Sequence, residues 1–536
     1  MTTVLERPPV LRPARDRARL LCGLGAGALL LWSLAGSGVL GGPVLNPAGV
    51  GQLTRFAAGA LHPDLSGELL GVLARATLVT VAYAVLGAGL AVALGALGAV
   101  AAARTTWGRR RAGWVAVRGA LAVPRGLHEA VWGLLLVGVL GLDPWVGVLA
   151  IGVPYGAVTA RVFADLLDEA PHGGYEALRA AGAGAGVAVL YGLVPEASGG
   201  MLSYAFYRLE CAVRSAVVLG LIGAGGLGQE LALSFTSLRW EQVWSAVYAL
   251  AALCLLADVA GRAVRRRVAA PPPRATGRRD PVLTGAVLAT AALALWSAWF
   301  LALRPATLVD GRTLDQLGTL LRAAWPPAGD GPLLSEIAVR AVETVQMSVL
   351  AIAVAVAGSL VLAGVAARAP RGTGAVRWAA GAAVRAGLLL LRAVPAPVWA
   401  LVFVFVLLPG PLPGALALGV HTLGVLGRLS AEAVEELDPR PVAALTALGA
   451  APLGRWLYGV LPGVARPATA FALYRWEVAL RDTVLVGLLG AGGLGVLLSA
   501  RLAAFDWPAV ATVLAATVLL TLAVDLVGAR VRAVLR

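Results

Sequence analysis

The stretch Tyr191–Gly228 (YGLVPEASGGMLSYAFYRLECAVRSAVVLGLIGAGGLG) recurs 458 − 191 = 267 positions later as Tyr458–Gly495 (YGVLPGVARPATAFALYRWEVALRDTVLVGLLGAGGLG). The same offset carries Pro195 to Pro462, Tyr207 to Tyr474, Arg208 to Arg475, Glu210 to Glu477 and Arg214 to Arg481. The hexapeptide GAGGLG, Gly223–Gly228, falls on Gly490–Gly495 without a gap. Polar residues that keep their places inside apolar segments mark an internal duplication. Whatever one half folds into, the other must repeat.

The duplicated unit is built for lipid. Of 536 residues, 59% are hydrophobic and 14% charged, with a mean hydropathy of +0.82; a soluble domain carries about 25% charge. A run of roughly 20 apolar residues crosses a bilayer core. Such runs fall near 20–40, 76–103, 126–142, 145–163, 200–222 and 243–261, then near 282–303, 343–366, 388–408, 412–429, 468–489 and 510–528. The expectation is an all-α polytopic membrane protein of about 12 transmembrane helices arranged as two six-helix repeats. The first unit takes 1–264 with a basic arm at 1–19, a Pro/Arg-rich cytoplasmic linker takes 265–281, and the second unit takes 282–536. Six spans is an even number, so both halves enter the membrane in one direction and the repeats are parallel.

The net charge of +15 is all arginine; the chain has no lysine. Arginines cluster in 1–19, 104–118, 161–179, 262–279, 368–385, 428–455 and 530–536, all on one side under the six-span count. That side is predicted to be cytoplasmic, with both termini there. The basic balance is therefore a topology signal and not a nucleic-acid surface. Cys22, Cys211 and Cys254 are scattered and the four histidines lack ligand spacing, so neither a metal nor another cofactor is expected. There is no GxxxxGK[ST] phosphate loop, so any ATP is hydrolysed by a partner.

Two polar stretches recur in the largest predicted cytoplasmic loops, YEALRAAGA (Tyr175–Ala183) and VAALTALGA (Val442–Ala450). Each reads as a short helix, a turn at Gly182 or Gly449, and a second short helix closing at Pro195 or Pro462. Glycine supplies the positive φ such a turn needs, and proline ends a helix. Recurrence at one spacing predicts a docking surface carried by Glu176, Ala177 and Gly182 in one half and Ala444 and Gly449 in the other.

The fifth span carries charge. For a helix starting near Gly200, Arg208 lies about 12 Å in and Arg214 about 21 Å in. Charges so deep face a cavity or a partner. Glu210 and Arg214 are four apart and are expected to pair, as are Glu477 and Arg481. Two readings stay open. Arg208, Glu210, Arg214, Arg475, Glu477 and Arg481 either tie the two fifth spans together as ion pairs or line a substrate path. In the second case guanidinium forks would match phosphoryl oxygens. Gly223, Gly225, Gly226 and Gly228, with Gly490, Gly492, Gly493 and Gly495, either allow close helix packing or form a flexible turn at an outer gate.

The EALxAxGA loop followed by a hydrophobic-Pro step resembles the coupling loop of ABC importer permeases. The YRxExxxR span ending in GAGGLG, with HTLGVLGRLSAEAVEELDP (His421–Pro439) and HPDLSGEL, is similar to the phosphonate-type permeases, present here as two fused units. The resemblance implies a translocation subunit, not an enzyme, in a bacterial inner membrane. It implies two cytoplasmic ABC ATPase subunits, one per coupling loop, and an extracytoplasmic solute-binding protein. The cargo would be a phosphorus oxyanion: phosphonate, phosphite or phosphate. The halves depart from each other where Glu176 becomes Ala443 and Ser215 becomes Asp482. The alternative is an ion-coupled secondary transporter with parallel repeats, for which Glu210 and Glu477 would be the embedded acids; their neighbouring arginines suit them poorly to ion shuttling.

Overall fold

Alternation of apolar runs and arginine-rich breaks produces helices throughout. The computed structural model describes residues 13–39, 43–107, 111–269, 280–368, 374–408 and 410–535. Among them there is no strand, only an isolated bridge between Leu45 and Leu407. Arm residues 1–12 and linker residues 270–279 lie outside the described residues. Among the described residues eight helices are long and apolar enough to cross a membrane, or up to 12 if each of four bent pairs is one span.

The second span of each unit is longer than its apolar run. It occupies Gly67–Ala102 in the first unit and Gly331–Ala366 in the second, 36 residues each. At 1.5 Å per residue that is about 54 Å, well beyond a core of about 30 Å. A polar side chain starts the second of them where apolarity alone would not: the Asp330 carboxylate accepts the Leu333 N–H at 3.3 Å.

The runs at 126–142 and 388–408 are not straight spans. Each is the second part of a helix pair, Arg111–Gly126 with Glu129–Leu140 bent by 83°, and Ala375–Ala393 with Ala396–Val406 bent by 93°. The first parts fill segments expected to be arginine-rich loops. At the breaks, His128 and Pro395 take the N-cap positions in extended backbone. The carbonyls this frees are met by tryptophan: Trp132 Nε1 donates to Pro124 O at 3.1 Å, and Trp399 Nε1 to Leu391 O at 3.3 Å. A carbonyl left bare in lipid is costly, so these indoles help hold the bends.

The bends let each half insert a helix into the other. Val131 and Leu135 of the first half pack with Leu333, Ile337 and Leu494 of the second. Val398 and Val402 of the second half join Phe56, Phe235 and Trp240 of the first. Asn46 N donates to Val406 O at 2.8 Å and Leu408 N to Val44 O at 3.1 Å, so the exchange is pinned by backbone as well. The opening helices are exchanged too: Pro13–Gly36 packs on Gly331–Ala366, and Pro281–Phe300 on Gly67–Ala102. Close van der Waals packing is what joins helices in a bilayer, and here it interlocks the repeats around a central space.

Candidate functional site

That space is a cavity of about 470 Å³ lined from both halves. Four of its arginines, Arg208, Arg214, Arg475 and Arg481, come from the duplicated helices Val194–Leu219 and Leu461–Leu488. Both begin earlier than the apolar run at 200 suggested, and Pro195 and Pro462 open them instead of closing the helix before. In the first turn a missing N–H breaks no bond, so proline starts a helix well. Arg208 thus lies about 21 Å from its helix start.

Arg208 and Arg475 both line the cavity. Arg208 is buried, and its guanidinium bonds the Tyr204 hydroxyl through Nε at 2.7 Å and also through a terminal nitrogen. It lies 4.8 Å over the Tyr155 ring, 5.0 Å over Tyr204 and 5.8 Å over Tyr207, a cation–π cage. At the offset positions the second half has Thr422 for Tyr155 and Phe471 for Tyr204, and keeps only Tyr207, as Tyr474. The hydroxyl that holds Arg208 is therefore missing there. Arg475 accordingly makes one long bond, to Thr422 Oγ1 at 3.5 Å, and its Nε is a buried donor without a partner among the described residues.

The expected Glu210–Arg214 and Glu477–Arg481 pairs do not form. Glu210 meets Arg265 at 3.5 Å and Glu477 meets Arg532 at 2.7 Å, both partners coming from the sixth span of the same half. Arg214 turns to Cys211 Sγ at 3.6 Å, and Arg481 donates to the Arg125 carbonyl at 3.0 Å. Four-residue spacing makes a pair possible, but a neighbouring helix offers each carboxylate a nearer cation. Nor does any ion pair join the two fifth spans among the described residues.

Charges that do tie the halves together lie elsewhere. Arg125 of the first half meets Asp525 of the second at 3.1 Å; Arg392 of the second meets Asp258 of the first at 3.1 Å. Asp258, 2% exposed, also takes Arg428 at 3.1 Å and Arg262 at 2.7 Å. Sequence reasoning passed over Arg125, Asp258, Arg392 and Asp525 because each stands alone among apolar neighbours. Yet the offset of 267 links Arg125 to Arg392, Asp258 to Asp525, Arg161 to Arg428 and Arg265 to Arg532, a signal already in the sequence.

The first helix and glycine turn of each short loop fold as expected, while the second short helix runs on into the span instead of closing at Pro195 or Pro462. Gly173–Ala180 ends at Gly182 (φ 88°) and Arg440–Ala447 at Gly449 (φ 75°). Ala183 N bonds Leu178 O and Ala450 N bonds Leu445 O, each at 3.0 Å, the six-to-one closure that needs a left-handed residue. Glu176, Ala177, Gly182, Pro195, Ala444, Gly449 and Pro462 are all exposed. Beside them Val187, Leu190 and Tyr191, and Leu448, Leu453 and Tyr458, stand exposed as well. GAGGLG breaks each fifth-span helix, with bends of 54° and 44°. Gly223, Gly225 and Gly226 have φ of 98°, 96° and 78°, and Gly490, Gly492 and Gly493 have 91°, 95° and 71°. Gly228 and Gly495 serve packing instead: a Cβ there would stand 1.9 Å from Val217 O or 2.1 Å from Val484 O. Among the described residues no cluster of His, Cys, Asp or Glu could hold a metal.

The sequence profile of the binding-protein-dependent transport system inner membrane component matches residues 95–270 and again 359–536. The chain belongs to this permease family. The permease is 31% identical over 443 residues to a phosphate-import permease protein, PhnE, of Mycolicibacterium smegmatis, covering 82% of this chain and 80% of that protein. It is 36% identical over 248 residues to a phosphite transport system permease protein, PtxC, of Stutzerimonas stutzeri, covering 45% of this chain and 85% of that one. The permease is thus a multi-pass membrane protein carrying the family domain twice, related to translocation subunits and not to enzymes.

Proposed function

We propose that this permease carries a phosphorus oxyanion (phosphonate, phosphite or phosphate) in an ATP-driven importer of a bacterial inner membrane. The observation that carries the reading is the unpartnered Arg475 Nε in a cavity lined by seven arginines against four carboxylates. A buried guanidinium donor without a partner is costly unless a ligand meets it, and its planar fork suits phosphoryl oxygens. Arg208, Arg214 and Arg481 add to the positive potential of the path, while Glu210 and Glu477, paired to Arg265 and Arg532, hold the walls. The names of the two relatives point to the same class of cargo.

On this reading residues 1–264 and 282–536 are two translocation units joined by the 265–281 linker, with both termini cytoplasmic. An ATPase subunit docks on each helix-turn-helix, at Glu176, Ala177, Gly182 and Pro195 and at Ala444, Gly449 and Pro462. Exposed apolar side chains at both loops are what such a cleft would cover. An extracytoplasmic solute-binding protein delivers the anion past the GAGGLG turns, which act as the outer gate. Glu210 and Glu477, both held by arginine, are poor ion shuttles, which speaks against gradient-driven transport. The test is uptake into proteoliposomes holding the permease with its ATPase subunits and binding protein. ATP-dependent accumulation of phosphate, phosphite or methylphosphonate is expected; accumulation driven by a proton or sodium gradient without ATP would overturn the reading.

A further inference from the structure

Besides the Arg208 and Arg475 surroundings, the cavity breaks its own two-fold symmetry at a second cluster. His128 caps the Glu129–Leu140 helix by accepting the Ala130 N–H on Nδ1 at 3.1 Å. With Nδ1 taken up as an acceptor, Nε2 is the nitrogen that faces the cavity's acids. Nε2 lies 3.6 Å from Glu129 Oε2 and 3.5 Å from Asp482 Oδ1, facing two carboxylates from opposite halves. Glu129 has a donor: Ser215 Oγ reaches its Oε1 at 2.5 Å, and Ser215 in turn is 2.6 Å from the Tyr155 hydroxyl. Asp482 has none. Among the described residues no hydrogen bond reaches its carboxylate, and no arginine nitrogen comes within 4.0 Å of either acid. Both acids line the cavity. The offset places Pro395, Ala396 and Ser215 where the other half has His128, Glu129 and Asp482, so this cluster exists once.

An ionised carboxylate only accepts hydrogen bonds. Set in a cavity otherwise rich in donors, one short of a donor favours a ligand that brings one and disfavours a ligand that offers only oxygens. We infer that Asp482, with Glu129 beside it, reads the P–OH of a singly protonated phosphorus oxyanion while the arginines hold its other oxygens, and thereby excludes fully ionised tetrahedral anions such as sulfate. A phosphoryl group has its second pKa near 6, so a protonated fraction persists at neutral pH; sulfate has no proton to offer. Because the cluster is present once, the anion is held in one orientation. This inference rests on the anion path proposed above and assigns its selectivity.

The test is equilibrium binding of radiolabelled phosphate to the full chain with its ATPase subunits in nanodiscs, without binding protein, displaced by unlabelled phosphate or sulfate. In the natural protein sulfate should displace about tenfold more weakly than phosphate, the size of one unmatched buried acceptor. In Asp482→Asn the new amide can donate to sulfate, so the ratio should fall to about threefold or less through tighter sulfate binding. Glu129→Gln should shift the ratio the same way, and serves alone if Asp482→Asn is not monodisperse. Arg475→Leu should weaken both anions together and leave the ratio intact. If phosphate binds and neither acid variant changes the ratio, the inference is wrong while the anion path stands. If phosphate does not bind the natural protein, the path falls and the inference with it.

Discussion

Arg208 and Arg475 occupy the same register of duplicated helices, yet one is enclosed and the other open. Three tyrosine rings and the Tyr204 hydroxyl surround Arg208. Arg475 has Thr422 at 3.5 Å and a bare Nε, with Phe471 standing where a tyrosine would supply the hydroxyl. Duplication sets where a charge sits, and drift among its neighbours sets what that charge is free to do. The same division appears at the bridges between the halves. Asp258 gathers three arginines, whereas among the described residues Asp525 holds only Arg125. A two-fold scaffold thus carries a one-sided interior.

The largest effect should break the comparison at those bridges. Asp258→Ala strands Arg392 at a buried site, where losing its partner costs about 3–5 kcal/mol, and it also takes a contact from the half-buried Arg262 and Arg428. Asp525→Ala strands one arginine and should cost clearly less. Melting of the detergent-solubilised chain measures both; equal losses would mean that the two bridges are equivalent despite their different partners.

A smaller difference should separate the two loops. Proline cannot adopt the φ of 88° at Gly182 or 75° at Gly449, so either glycine-to-proline change should uncouple ATP hydrolysis from uptake with insertion intact. Within the loops, Glu176→Ala should weaken ATPase co-purification by a few-fold, about 1 kcal/mol or less for an exposed charge. Ala443 already lacks that side chain. ATPase retained in full after both glycine changes would remove the docking assignment.

Much of the architecture was legible in the sequence. The 267-residue offset, the apolar runs and the glycine turns at 182, 223–226, 449 and 490–493 all carry local signals. The bends of 83° and 93° do not, since apolarity looks the same along a straight helix and a folded one. Everything that depends on those bends was hidden with them: the exchanged helices, and the pairing of Arg125 with Asp525 and of Arg392 with Asp258. The Glu210–Arg265 pair was missed for a related reason, because i,i+4 spacing describes one helix and says nothing of its neighbour. Asp482 stood out only as a departure from Ser215; its place beside His128 and Glu129 needed the first half's break to be folded.

If the open arginine is the one that meets the anion, its loss should separate transport from stability. The direct measurement pairs ATP-dependent phosphate uptake with melting temperature for Arg475→Leu, Arg475→Lys and Arg208→Leu. Arg475→Leu should melt as the natural protein does, because its guanidinium holds little of the fold, while uptake falls at least about tenfold, as for a lost charged hydrogen bond. Arg475→Lys keeps the charge without the fork and should retain part of the uptake. Arg208→Leu should lower the melting temperature, since it empties a tyrosine cage. An Arg475→Leu protein that transports as the natural one does would mean that the anion is not held at Arg475.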